Sequence, residues 1–94
     1  MQIKWLRTAL RNLDAEAESI ARDNPAAANR VVQKIRATVN LLAEQPALGR
    51  PGRVPNTREL VISGTPYLAP YRVRSQVIDL LRVLHAARQW PARL

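Results

Sequence analysis

The hydrophobic period of this chain changes once, from helical to alternating, and the change falls at a loop rich in proline and glycine. Before the loop, Leu6, Leu10, Leu13, Ala17 and Ile20 recur at helical spacing, with Arg11, Asp14, Glu18 and Arg22 between them. That spacing predicts an amphipathic helix from about Thr8 to Arg22. "DNPAAA", residues 23 to 28, ends it and starts another. Asn24 is a good N-cap, and Pro25 sits where the first helical turn needs no N–H. The second helix carries an apolar stripe of Ala28, Val31 or Val32, Ile35, Val39 and Leu42 and stops before Pro46 and Gly49. Arg30, Lys34 and Arg36 fall off that stripe and belong in solvent. Two helices with so tight a joint make a helical hairpin.

"QPALGRPGRVPNT", residues 45 to 57, holds three prolines and two glycines and reads as a loop. After it come "RELVI" at 58 to 62, "YLAPYRVR" at 67 to 74 and "VIDLLRVLHA" at 77 to 86, separated by "SGTP" and by the two-residue joint Ser75-Gln76. These runs predict three strands in an antiparallel meander. Pro70 donates no ladder hydrogen bond, which calls for a bulge or an edge-facing position in the middle strand. The last strand is the most apolar and is expected to be central. "QIKWL", residues 2 to 6, alternates Ile3 and Trp5 against Lys4 and reads as a brief first strand. The fold class is therefore α+β: a short N-terminal strand, a two-helix hairpin laid on one face of a sheet, then a three-stranded antiparallel meander. A chain of 94 residues makes a single domain, 1–94, with one core.

Hydrophobic residues make up 47% of the chain and aromatics 4%, with no Phe, so the core is aliphatic. With no cysteine and one histidine, neither disulfides nor a structural zinc site is expected, and no other metal or cofactor. "GRPG" lacks the Lys-Ser/Thr and helix of a phosphate loop. The charged start "MQIKWLRTAL" does not resemble a signal peptide, and no apolar run approaches the ~20 residues that span a bilayer. The expected location is cytoplasmic, with no membrane partner. The net charge is +8, and thirteen of the fifteen cationic residues are arginine. Arginine makes planar, bidentate contacts with phosphates and carboxylates, so the bias suits a nucleic-acid or acidic-protein partner. Arginine-rich codon usage is the plain alternative.

Alternation in the last strand puts Ile78, Leu80, Arg82 and Leu84 on one face and Val77, Asp79, Leu81, Val83 and His85 on the other. Arg72 and Arg74 share a face of the preceding strand, and in a hairpin register Arg72, Arg74 and Arg82 would form a basic patch. Ordinary exposed positions on a one-sided sheet are the alternative. His85 and Arg88 lie where the last strand gives way to the tail. Cleavage of RNA needs a base, an acid and cations around the phosphate, and a histidine near arginines supplies parts of that. A lone histidine near a chain end is more often a packed or hydrogen-bonding residue. No paired carboxylates stand out: Glu59 is alone, and Glu16 and Glu18 belong to a solvated helix.

With these residues in place the chain resembles the RelE/ParE superfamily of toxins from type II toxin–antitoxin modules. The resemblance is carried by "DNPAAANRVVQKI", "LAEQPALGRPGRVPNTREL", "PYLAPYRV" and "VLHAARQWP", in that order over nearly the whole chain. It implies a growth-arresting toxin neutralised by a cognate antitoxin that is acidic, partly disordered and wrapped around it. Operator DNA is then met only indirectly, through the antitoxin. The resemblance divides over the target. RelE-like members cleave mRNA on the ribosome, and on that branch His85, Arg88 and Arg72 are the catalytic candidates. ParE-like members poison DNA gyrase, and there Arg58, Arg74 and Arg82 remain as target-binding candidates. Leu68 follows Tyr67 where the RelE-like nucleases tend to place an arginine, and the tail "RQWPARL" has no tyrosine, so the chain looks closer to the ParE-like side. A third alternative is a non-toxic relic that binds only its antitoxin.

Overall fold

A computed structural model describes residues 1–88, 90–91 and 93–94. The order is β1 (Gln2–Trp5), α1 (Arg7–Asp23), α2 (Pro25–Asn40), a 3-10 turn (Leu41–Ala43), β2 (Arg50–Pro51), β3 (Arg58–Val61), β4 (Tyr67–Arg74), β5 (Val77–Leu80) and β6 (Leu84–His85). Asn24 is the hinge of the helical hairpin. Its N–H closes α1 on the Ile20 carbonyl, and its side chain accepts from the Ala27 N–H of α2 at 3.1 Å. Pro25 takes the first helical position as expected.

The strands form one sheet in the order β1-β5-β4-β3-β2, with β6 paired to β4 beyond the end of β5. β1 runs parallel to β5, and the other pairings are antiparallel. Both helices lie on one face. Ala9, Leu13, Ile35, Val39 and Leu42 close over Leu60, Ala69, Tyr71, Ile78, Leu80 and Val83, in a core that is aliphatic as expected except for Tyr67 and Tyr71. β5 is interior, but the middle position goes to β4, which pairs with β3, β5 and β6. The loop 45–57 also folds back on the sheet, so that Arg50 and Pro51 pair with Glu59 and Arg58.

The expectation of one unbroken strand over 77–86 is corrected. Tyr71 pairs with Leu80 and Leu68 with Leu84, so three residues, Leu81 to Val83, oppose two, Ala69 and Pro70. That is a β-bulge, and its cause is Pro70. The Pro70 carbonyl accepts from Leu81 N–H at 2.9 Å. In an antiparallel strand a residue's nitrogen points the same way as its carbonyl, so the missing N–H falls opposite the interruption. The extra residue reverses the alternation. Ile78, Leu80 and Val83 all reach the core, and Arg82 crosses to the face it would otherwise have avoided.

Candidate functional site

The face of the sheet away from the helices carries most of the singled-out arginines. Across it, Lys4 of β1, Asp79 of β5 and Arg72 of β4 form one cross-strand row. Asp79 is fully buried beneath two half-exposed guanidinium groups. Arg72 donates to its Oδ2 at 2.9 Å and Arg74 to both oxygens. The Arg74 hydrogen bond, joined by Arg72, holds the Asp79 carboxyl below its ordinary value against the opposing effect of burial.

Glu59, opposite Pro70 in β3, is a second buried carboxylate on this face, 3% exposed. Arg50 donates to its Oε1 at 3.2 Å, and the Arg53 side chain and backbone N–H donate to its Oε2 at 3.2 and 2.8 Å. Burial pushes the Glu59 carboxyl up, but the hydrogen bonds from Arg53 and Arg50 outweigh it and leave it below the ordinary carboxylate value. Without a second carboxylate beside it among the described residues, Glu59 gathers the arginine-rich loop onto the sheet. The Arg53 guanidinium in turn stacks on the Trp90 ring at 3.5 Å. The bulge adds Arg82, which donates to the Arg93 carbonyl at 3.4 Å. Arg72, Arg74 and Arg82 therefore share one face. Among the described residues six cations (Lys4, Arg50, Arg53, Arg72, Arg74 and Arg82) stand there against two carboxylates, a surplus of four positive charges.

Arg58 sits elsewhere. It pairs with Tyr71 on the helix side of the sheet and donates to the Gly49 carbonyl at 2.7 Å. Tyr71 fixes the same loop, donating to the Pro46 carbonyl and accepting from Gly49 N–H, both at 2.8 Å. A side chain at Gly49 would meet the Tyr71 ring, which is why glycine stands there.

The three nuclease candidates do not converge. His85 pairs with Tyr67 at the far end of β4 from Arg72, five positions away or roughly 17 Å. Tyr67 belongs to the core beneath the helices, whereas Arg72 lies on the opposite face. The His85 ring meets Tyr67 edge-on, and its Nδ1 accepts from Ala87 N–H at 3.2 Å. Arg88 donates to both oxygens of Glu16 at 2.9 and 2.7 Å, and Tyr67 donates to the same carboxylate at 3.0 Å. Burial, then the Glu16 carboxylate, push the Tyr67 hydroxyl up to about 12. Glu16, expected in solvent, is instead largely covered and ties α1 to the end of the sheet.

Glu16, Glu59 and Asp79 are the groups that sequence reasoning undervalued. For Asp79 a signal existed, since the two-residue joint Ser75-Gln76 sets a register that places Asp79 directly opposite Arg72. Among the described residues no helix is long and apolar enough to cross a membrane.

Residues 3–90 match the family model described as ParE toxin of type II toxin-antitoxin system, parDE. The chain is similar to the Sinorhizobium fredii protein Y4kP, which is named as a toxin, at 50% identity over 90 residues covering 96% of this chain and 93% of that one. It is also similar to toxin RelE2 of Caulobacter vibrioides, at 34% identity over 87 residues covering 93% of this chain and 97% of the other. Among solved structures it resembles a chain of the chromosomal ParDE toxin–antitoxin system from P. aeruginosa, with a TM-score of 0.79 and 35% identity over 88% of this chain and 92% of that one. The α+β architecture and the family resemblance agree, and the chain belongs to the ParE toxin family of type II toxin–antitoxin systems.

Proposed function

We propose that this toxin arrests growth by inhibiting DNA gyrase as a binding protein, and that a cognate acidic antitoxin neutralises it in the cytoplasm. The observation that carries the reading is the separation of His85 and Arg88 from Arg72. Arg72 is committed to Asp79 on the open face, and Arg88 to Glu16 under the helices. General acid–base cleavage of RNA needs those groups within hydrogen-bond reach of one phosphate, and this spacing supports stoichiometric binding instead. The surplus of positive charge on the open face suits an acidic, partly disordered partner that orders on binding. Arg74 and Arg82 are the target-binding candidates there, whereas Arg58 serves the loop. Operator DNA is reached through the antitoxin.

Purified gyrase supercoiling relaxed plasmid is the direct test, with the toxin added in stoichiometric amounts. Loss of supercoiling that antitoxin reverses is the expected result, together with thymidine incorporation falling before amino-acid incorporation after a pulse of toxin. The second reading is ribosome-dependent mRNA cleavage, favoured by His85 and Arg88 standing in one turn. It requires amino-acid incorporation to fall first and His85→Ala with Arg88→Ala to abolish cleavage. No effect on either synthesis would leave an antitoxin-binding relic.

A further inference from the structure

Helix α2 carries Arg30, Lys34 and Arg36 and not one carboxylate between Pro25 and Asn40. Arg30 and Lys34 stand four residues apart, which makes them neighbours on one helix face, and like charges at that spacing weaken a helix. Elsewhere, exposed arginines such as Arg22, Arg50 and Arg88 reach a carboxylate. Among the described residues neither Arg30 nor Lys34 does. Together with Val31 they line a recess against Gly64 and Thr65, in the turn that joins β3 to β4. It holds about 220 Å³, several times the space of one water. None of these residues belongs to the arginine clusters of the open face.

The turn is built around glycine. Thr65 N–H donates to the Ile62 carbonyl at 3.1 Å, and Gly64 has φ +75°, as the third position of a type II turn requires. A Cβ at Gly64 would lie 2.5 Å from Lys34 Nζ, so the missing side chain is the space in which the ammonium rests. Any other residue would strain the turn and push the ammonium out. The Thr65 hydroxyl is already committed, donating to the Ile62 carbonyl and accepting from Tyr67 N–H. The Ser63 and Gly64 N–H groups meet no acceptor among the described residues. The recess is therefore bordered by a guanidinium, an ammonium and free amides, with no carboxylate to neutralise them. A carboxylate offers two oxygens in one plane. A phosphate group offers oxygens in several directions and a second negative charge, which suits donors arriving from a helix on one side and a turn on the other.

We propose that Arg30, Lys34 and the Ser63–Gly64 turn bind a phosphate group, as the free ion or as the terminal phosphate of a nucleotide. Arg30 and Lys34 take its oxygens from the α2 side and the turn amides from the sheet side. The site does not depend on the gyrase or antitoxin readings.

The test follows the Gly64 amide of the full chain by proton–nitrogen correlation NMR while sodium phosphate, and separately ATP, is added at constant ionic strength. A saturable shift at Gly64 is expected with both. Tighter binding of ATP assigns the nucleotide and tighter binding of phosphate the free ion, and either supports the site. Arg30→Gln and Lys34→Gln, both at exposed positions, should keep the thermal midpoint and each weaken the binding by roughly tenfold, as expected for one lost charge-assisted hydrogen bond. A Gly64 shift that never saturates overturns the proposal. So does saturation that survives both substitutions, because other groups would then hold the phosphate. Acetate that saturates Gly64 at the same concentrations as phosphate also overturns it and assigns the recess to a carboxylate of a protein partner.

Discussion

On the covered face of the sheet, Leu60, Ala69, Tyr71, Ile78 and Leu80 meet the helices in a core of aliphatic and tyrosine side chains. On the open face, Asp79 and Glu59 are as deeply buried as that core, each beneath two arginines. The covered face gains its stability from apolar area removed from water. The open face has less of it, in Leu68, Pro70 and Leu81, and adds two buried charges. Burying a charge costs desolvation that its partners only partly offset, so such pairs are modest sources of stability. Their effect is positional: two carboxylates hold four arginines in fixed places on a surface with no helix over it.

The largest loss should come from the covered face. Ile35 is fully buried beneath the sheet, and Ile35→Ala is expected to cost about 2–5 kcal/mol in denaturant unfolding. Asp79→Ala should cost less, about 1–3 kcal/mol, although Asp79 is just as buried. Removing the carboxylate leaves Arg72 and Arg74 at 44% and 55% exposure, where water takes over their hydrogen bonds. Arg72→Ala should cost roughly 1 kcal/mol or less, because Arg74 still covers the carboxylate. The contrast between the faces breaks if Asp79→Ala unfolds the protein as severely as Ile35→Ala.

Acid should separate the faces further. The carboxyls of Asp79 and Glu59 lie below their ordinary values of 3.8 and 4.5 in the folded chain. Unfolding therefore takes up protons as pH falls through that range. Their contribution is complete above the ordinary values and is lost as pH drops through the lowered ones. Asp79→Asn should flatten the acid limb of a stability–pH curve, while Ile35→Val shifts the whole curve down without changing its slope. An acid limb that stays equally steep in Asp79→Asn would show that other carboxyls set it.

These differences also mark what the sequence could convey. Asn24-Pro25 and the 3.6-residue stripes are local signals, and both helices followed from them to within a residue or two. The β4–β5 hairpin followed from Ser75-Gln76 for the same reason. The bulge did not, because its cause sits on the neighbouring strand at Pro70 while its effect is at Leu81 to Val83. Alternation along one strand holds no trace of that mismatch, so it groups Arg82 with Ile78 and Leu80, which reach the core, in place of Val83. The buried carboxylates escaped for a similar reason. Glu59 alternates with apolar residues as a solvated side chain would, and its partners come from a loop whose path depends on Tyr71. Glu16 is further still from a local reading, lying 51 residues from Tyr67 and 72 from Arg88.

That junction supplies the smallest of the expected effects and the most specific. Glu16 is largely covered, but Arg88 is 60% exposed, so their pair resembles a surface ion pair more than the Asp79 cluster does. Glu16→Gln should cost roughly 1 kcal/mol or less at neutral pH, since the amide oxygen still accepts from the Tyr67 hydroxyl. The readout is Tyr67 itself, followed by near-ultraviolet absorbance titration. Burial is the larger cause of its rise from 10.0 to about 12, and the Glu16 carboxylate adds to it. Neutralising residue 16 should therefore return the Tyr67 hydroxyl only part of the way. Because the folded value lies above the unfolded one, stability that is full below pH 10 declines as pH rises toward about 12, and Glu16→Gln should make that decline shallower. A Tyr67 titration that does not move in Glu16→Gln would mean burial alone sets it, and Glu16 would then serve only to hold Arg88.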